Sequence, residues 1–274
     1  MPTLSAPEAM PRGLVTYASG DGVALLTLRN PPANGYSHDM MRDLDEAVLR
    51  ARFDDDVHVV VLAGEGERFF CAGADIAMLD AVTPQFKYMF CLHANETLLR
   101  LEHTPKLTIA ALGGHCVGGG LEVALACDLR LARRGSGKTG LPEVKLGVLP
   151  GTGGTQRLAR ALGKAKAIEL MITGNLVDYE AAQALGLVNQ LIDAEDEASF
   201  LREVLDYAER FTPPKAPSMA VGHIKRAVQS GAELPLEAGL ALERELQAKL
   251  FASDDAAEGI GAFVDKRKAN FQGH

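Results

Sequence analysis

Cysteine is scarce. Cys71, Cys91, Cys116 and Cys127 are the only four, they form no C-x-x-C pair, and no histidine stands at zinc-ligand spacing from them. A zinc finger and a dithiol redox motif are thereby excluded, and the four read as small buried hydrophobes in a reducing compartment. Long apolar runs are missing too. No stretch approaches 18 uninterrupted apolar residues, so no membrane-spanning helix is expected. Residues 1–12 carry three prolines and no apolar central region, which argues against a secretory signal there. Positive charge is in deficit, with 28 Lys and Arg against 36 Asp and Glu for a net of -8. That balance disfavours non-specific binding to nucleic acid or anionic lipid, but leaves room for one local basic site. What is present is an ordinary globular composition, 47% hydrophobic and 23% charged over 274 residues, ample for a sizeable core. The expectation is an acidic, cytoplasmic globular protein with no nucleic-acid and no membrane partner.

Residues 22–29 form an apolar stretch that suits a strand and closes on the turn-prone Asn30-Pro31-Pro32. Met40, Met41, Leu44, Val48 and Leu49 recur at helical spacing, which predicts a helix over 40–53. Residues 57–63 and 107–112 are apolar runs that suit buried strands. Between them lie a glycine-bearing loop, 69–75, and a helix over about 85–101. Strands alternating with helices imply crossover connections and a layered α/β core. From about Gly153 the pattern turns helical, over 156–162, 164–172, 179–185 and 197–211. After the break at Pro213 to Pro217, two more helices are expected, 236–251 and 256–270. The chain thus divides into an α/β core over 1–200 that carries the active site and a helical part over 201–274. It shows no internal repeat.

Residues 135–140, Gly-Ser-Gly-Lys-Thr-Gly, look like part of a phosphate-binding P-loop. The full pattern requires glycine where Ala132 stands, so the segment reads as an ordinary solvated loop. Gly118-Gly119-Gly120-Leu121-Glu122 is more informative. It lies between the strand 107–112 and an apolar helix over 123–127. Glycines there let a ligand approach the backbone, and free amides at a helix start point outward. A tight turn with Glu122 favourably placed at a helix N-terminus would account for the same residues. Two further features shift the balance. Residues 71–75 follow the strand 57–63, so they are expected on the same sheet edge, and one amide from each loop would make a two-donor oxyanion hole. Leu141-Pro142-Glu143 then adds a second carboxylate. Two carboxylates beside paired amide donors suit acid–base chemistry next to a polarised carbonyl.

Ala72-Gly73-Ala74-Asp75-Ile76, Gly118 to Glu122, Leu141 to Glu143 and Pro150-Gly-Thr-Gly-Gly-Thr-Gln-Arg-Leu158 stand in the order and spacing of one family. Together they resemble the crotonase superfamily, and within it the enoyl-CoA hydratases. The resemblance runs from about Val15 to the end. It implies an α/β spiral of ββα units with a helical C-terminal trimerisation part, assembled as a homotrimer or a dimer of trimers. It implies an oxyanion hole from the Ala74 and Gly119 amides, and Glu122 and Glu143 as the two carboxylates of a hydratase. Ala72, Asp75, Ile76 and Ala77 would line the coenzyme A channel, with Phe263 and Lys266 against the nucleotide. The three consecutive cations Lys266-Arg267-Lys268 also offer phosphates a local site in an acidic chain, or form a solvated helix end. No metal or redox cofactor is implied, because coenzyme A arrives as part of an acyl-CoA thioester and the thioester is the electron sink.

The implied reaction is the lyase step of fatty acid β-oxidation, reversible addition of water across the 2,3 double bond of a 2-enoyl-CoA to give a 3-hydroxyacyl-CoA. Glu122 would hold and activate the water, and Glu143 would protonate C2. An enoyl-CoA isomerase or a thioester hydrolase could use the same hole with one carboxylate, and a non-catalytic acyl-CoA binder is a further alternative. Having both glutamates points to hydration. Three positions depart from the family pattern. Pro32-Ala33-Asn34-Gly35 lacks a basic residue near the adenine site, Lys138-Thr139 replaces an aromatic residue before Gly140, and Gly113-Gly114-His115 replaces Asn-Gly-aromatic. These bear on acyl specificity rather than on the chemistry, and His115 reads as structural. Valine at Gly119 is expected to crowd the thioester while the protein still folds.

Overall fold

The computed structural model describes residues 1–274. The chain opens with β1 (Glu8–Ala9), β2 (Val15–Gly20) and β3 (Val23–Leu28), paired antiparallel in sequence. Helix α1 (His38–Phe53) starts at Ser37, whose side chain accepts the Met40 N–H. There follow β4 (Val59–Gly64), β5 (Phe69–Cys71), α2 (Ile76–Ala81), α3 (Pro84–Glu102), β6 (Leu107–Leu112), β7 (His115–Val117), α4 (Gly119–Leu125), β8 (Leu129–Arg133) and β9 (Lys138–Gly140). A 3-10 turn, Glu143–Leu146, leads to α5 (Gly154–Leu162), α6 (Lys164–Thr173), β10 (Val177–Asp178), α7 (Tyr179–Ala184) and β11 (Gln190–Ile192). The chain ends in α8 (Glu197–Glu209), α9 (Ser218–Gly231), α10 (Leu236–Phe251) and α11 (Asp254–Asp265).

The strands form two sheets, β1-β2-β3-β4-β6-β8-β11 and β10-β9-β7-β5. In the first, β4, β6, β8 and β11 run parallel; in the second, β5, β7 and β9 do. Three times running, the chain gives one strand to the first sheet, a short strand to the second, and then crosses over through helix. This is the spiral of ββα units. Strand β4, Val-Val-Val-Leu-Ala-Gly, is buried along its whole length. Val59, Val61 and Ala63 share a core with Phe200, Val204 and Leu205 of α8, while Val60 and Leu62 join the larger core on the other face. That two-sided burial is why the segment reads as an unbroken apolar run rather than an alternating one.

Several elements differ from the sequence expectation. Residues 69–71 are strand, not loop, and β10 and β11 interrupt the stretch expected to be wholly helical. Strands of two or three residues carry too little alternation to be read. Helix α9 was also hidden, because its core-facing residues are Gly222 and Lys225 rather than apolar ones. A Cβ at Gly222 would lie 2.5 Å from the Pro105 carbonyl oxygen, and Lys225 Nζ pairs with Asp128 at 2.8 Å. The fully buried positions of this helix are held by a close backbone approach and an ion pair, while Ile224 and Val228 of its apolar residues stand exposed. The boundary expected at residue 200 falls inside α8, which packs on the first sheet. No helix is long and apolar enough to cross a membrane.

Candidate active site

The parallel strands β5, β7 and β9 end at one edge of the second sheet, so the segments after them, Ala72 to Asp75, Gly118 and Leu141 to Glu143, leave side by side. The sequence expectation put the first two at the edge of the strands near 57–63 and 107–112. Those belong to the first sheet, and the short second-sheet strands do the positioning. A cavity of about 260 Å³ opens there, lined by Ala72, Ala74, Gly118, Gly119, Glu122 and Glu143. Tyr36, Lys87, Phe90, Cys91, Leu149 and Thr152 also line it.

Two amides face this cavity unengaged. Tyr36 N–H donates to the Gly73 carbonyl and Asp75 N–H donates to the Tyr36 carbonyl, each at 2.9 Å. This is a parallel bridge between Tyr36 and Ala74, and it turns the Ala74 N–H away from Tyr36 with no acceptor in the chain. Gly119 is the first residue of α4, so its N–H has no intrahelical acceptor either. Gly73, at φ +94°, brings the two loops together: a Cβ there would lie 2.9 Å from the Gly119 nitrogen. Gly119 packs under Tyr36, and a Cβ on it would come within 2.1 Å of the tyrosine oxygen and 2.7 Å of ring carbons. Tyr36 is itself buried, with its ring against Phe90. Valine at Gly119 therefore displaces Tyr36 before it can crowd a thioester, and the expectation that this variant folds normally is corrected.

Glu122, on α4, is 2% exposed. Its Oε1 accepts the Thr152 N–H at 2.8 Å and the Gly154 N–H at 2.6 Å, and the Thr152 hydroxyl donates to Oε2. Burial pushes its pKa up, while those three donors and the nearby Arg157 charge pull the other way; burial wins. Since the one Thr152 hydroxyl proton is given to Glu122, that hydroxyl accepts from Tyr36 O–H, 3.0 Å away. The Pro150 to Leu158 motif thus has a structural reading. Thr152 and Gly154 grip Glu122, and a Cβ at Gly154 would lie 2.9 Å from the carboxylate. Arg157 turns back to Glu102, at 2.7 Å, and to the Thr152 carbonyl, at 3.3 Å.

Glu143 sits in a different environment. It opens the 3-10 turn, its Oε2 is buried without a partner, and its Oε1 lies over Gly118, 3.1 Å from where a Cβ would be. Burial pushes its carboxyl up to about 7, with the Glu122 charge adding and its own backbone amide opposing. One carboxylate is clamped by three donors. The other has one buried oxygen without a partner, and burial holds its carboxyl above the usual carboxylate range.

The remaining expected residues divide. Ile76 lines the cavity, whereas Asp75 caps α2 by accepting the Met78 N–H at 3.0 Å and Ala77 is exposed outside it. Phe263, 86% exposed, and Lys266, which closes α11 at φ +55°, do not line the cavity. Lys138 belongs to β9, and its N–H donates to His115 Nδ1 at 3.0 Å, so the second half of the P-loop-like segment is a strand that His115 fastens. Cys71, Cys116 and Cys127 are buried, and burial pushes the Cys71 and Cys127 thiols up to about 12. Cys91 departs from that reading by lining the cavity. Sequence reasoning also missed Tyr36, Lys87, Phe90 and Thr152. Only Thr152 lay in a recognised motif; the others carried no local signal.

Known proteins share this sequence pattern and fold. The profile of the enoyl-CoA hydratase/isomerase family matches residues 18–274. A probable enoyl-CoA hydratase of Rhizobium meliloti (strain 1021) is 41% identical over 254 residues, covering 91% of this chain and 94% of the relative. Another of Bacillus subtilis (strain 168) is 38% identical over 260 residues, covering 94% and 98%. The crystal structure of an enoyl-CoA hydratase from Geobacillus kaustophilus HTA426 matches with a TM-score of 0.92 at 40% identity, covering 100% of both chains. The ββα spiral is that of a crotonase-superfamily protein. Within that class, the chain belongs to the enoyl-CoA hydratase/isomerase family.

Proposed function

We propose that this protein hydrates 2-enoyl-CoA thioesters. The observation that carries the reading is the pairing of two glutamates in unlike environments with two unengaged amides around one cavity. The thioester oxygen sits between the Ala74 and Gly119 N–H groups, which stabilise the enolate-like charge as it develops. Glu122, held by three donors that favour its ionised form, takes a proton from water as the water oxygen bonds to C3. Glu143, protonated near neutral pH, gives its proton to C2. One proton must then return from Glu122 to Glu143 before the next turnover. An isomerase or thioester hydrolase has no evident use for a second carboxylate gripped this way. The test is a panel of enoyl-CoA thioesters, following loss of the conjugated double bond. Absence of hydration across the panel removes the reading.

This assignment has a pH signature. Glu143 acts as an acid, so kcat/KM is expected to fall as pH rises through about 7. Glu122 acts as a base, so the rate also falls at acid pH, giving a bell. In Glu143→Gln the residual activity should lose the alkaline limb and keep the acid one. An alkaline limb that survives in that variant means Glu143 is not the proton donor.

Binding of the nucleotide by Phe263 and Lys266, and assembly as a homotrimer or dimer of trimers, are part of the same proposal. Ile224, Val228, Leu236, Leu240 and Phe251 stand exposed on α9 and α10, which supports association through the C-terminal helices. Lys266→Ala is expected to raise KM for CoA thioesters by the loss of one charge-assisted contact, about 1–3 kcal/mol, with kcat nearly unchanged. A pantetheine thioester without the nucleotide should not register the change. Equal losses on both substrates rule out nucleotide recognition by Lys266.

A further inference from the structure

Lys87 is the one basic residue lining the cavity. Arg157, whose charge acts on Glu122, is already engaged with Glu102, whereas the half-buried Lys87 has no ion-pair partner. Its position on α3 is electrostatically unfavourable. It is the fourth residue of the helix, the N-terminal turn holds no acidic residue, and a cation there faces the positive end of the helix dipole. No acidic side chain of the chain pairs with its ammonium. A ligand that binds in the cavity can.

The surroundings indicate what kind. Phe90 and Cys91 follow Lys87 at the i+3 and i+4 positions on the same helix face and line the cavity with it. Leu146, Val148 and Leu149 add further apolar lining. An apolar chain fits between such walls, with an ammonium on a flexible stem available to its far end. Any anionic group that a ligand carries into the cavity has Lys87 as its only basic partner among the lining residues.

We infer that Lys87 selects acyl-CoA ligands whose acyl chain ends in a carboxylate; for the reaction catalysed, though not for binding, this rests on the hydratase reading above. The contact is an ammonium–carboxylate hydrogen bond, strong in a partly desolvated site. A coenzyme A phosphate offers the ammonium a similar anion, so the test separates the two sources.

The test compares glutaryl-CoA with butyryl-CoA by calorimetry, in the unsubstituted protein and in Lys87→Met, which keeps the stem length and helix preference. Glutaconyl-CoA and crotonyl-CoA are the matching hydration substrates. The unsubstituted protein is expected to bind glutaryl-CoA more tightly than butyryl-CoA, by roughly 10–100-fold. In Lys87→Met that ratio should collapse towards one, and the kcat/KM ratio of glutaconyl-CoA to crotonyl-CoA should collapse with it. A ratio unchanged by the substitution overturns the inference. If both CoA ligands then weaken equally while butyryl-pantetheine does not, Lys87 reads a phosphate instead. Should neither enoyl substrate be hydrated while the Lys87-dependent glutaryl-CoA preference holds, the hydratase reading falls and the selectivity stands.

Discussion

Glu122→Gln and Glu143→Gln are each expected to lower kcat by about 10²–10⁴-fold, the usual contribution of a positioned acid or base. Both should leave acyl-CoA binding largely intact, because each carboxyl acts on protons that move only in the transition state. The two sites accommodate glutamine differently. At Glu122 the amide carbonyl can take the place of Oε1 and keep the Thr152 and Gly154 N–H donors. The amide NH₂ then faces the Thr152 oxygen, which must turn from donor to acceptor. At Glu143 the unpartnered Oε2 loses no bond at all. Folding should therefore survive in both, which separates chemistry from stability. Calorimetric binding of a saturated acyl-CoA and thermal melts provide the controls. Wild-type hydration rates in both variants across short and medium enoyl-CoAs would mean the two-carboxylate assignment is wrong.

The proposed oxyanion hole calls for a different substitution, because its donors would be backbone groups. Gly119→Val is unsuitable, since the new side chain meets the buried Tyr36 ring and a loss of activity could simply report lost packing. Ala74→Pro is the better probe. Proline deletes the Ala74 N–H, which has no acceptor in the chain, while the bonds from Tyr36 N–H to Gly73 and from Asp75 N–H to Tyr36 remain. The preceding residue is Gly73, which tolerates the restriction that proline imposes on its neighbour. Loss of one such donor costs about 10²–10³ in kcat, and at least that is expected here. The proline ring also enters the space that the thioester oxygen would occupy, so KM should rise as well. A folded Ala74→Pro protein with a normal melting temperature and hydration rates within about tenfold of wild type would leave Ala74 as a packing residue only.

The long elements and the motifs that hold the candidate site residues were legible in the sequence, because their signals are local. Helix α1 declares itself by apolar spacing and strand β4 by an unbroken apolar run. Glu122, Glu143, Ala74 and Gly119 lie in short motifs whose order identifies the family. What those motifs could not reveal is how they meet. The strands that align them, β5, β7 and β9, are three residues each, too short for any periodicity to mark them. Nor could sequence distinguish the two glutamates. Glu122 is clamped by Thr152 and Gly154, 30 and 32 residues on, and Tyr36 reaches Thr152 across 116 residues. Glu143 keeps one oxygen without a partner and a carboxyl pushed up to about 7, because folding buries it. Lys87 carries no motif, and only the packing of α3 places its charge in the cavity. A residue's chemical identity is written in the chain. Its protonation and its neighbours depend on desolvation and on contacts between segments far apart in sequence, so only the tertiary structure decided them.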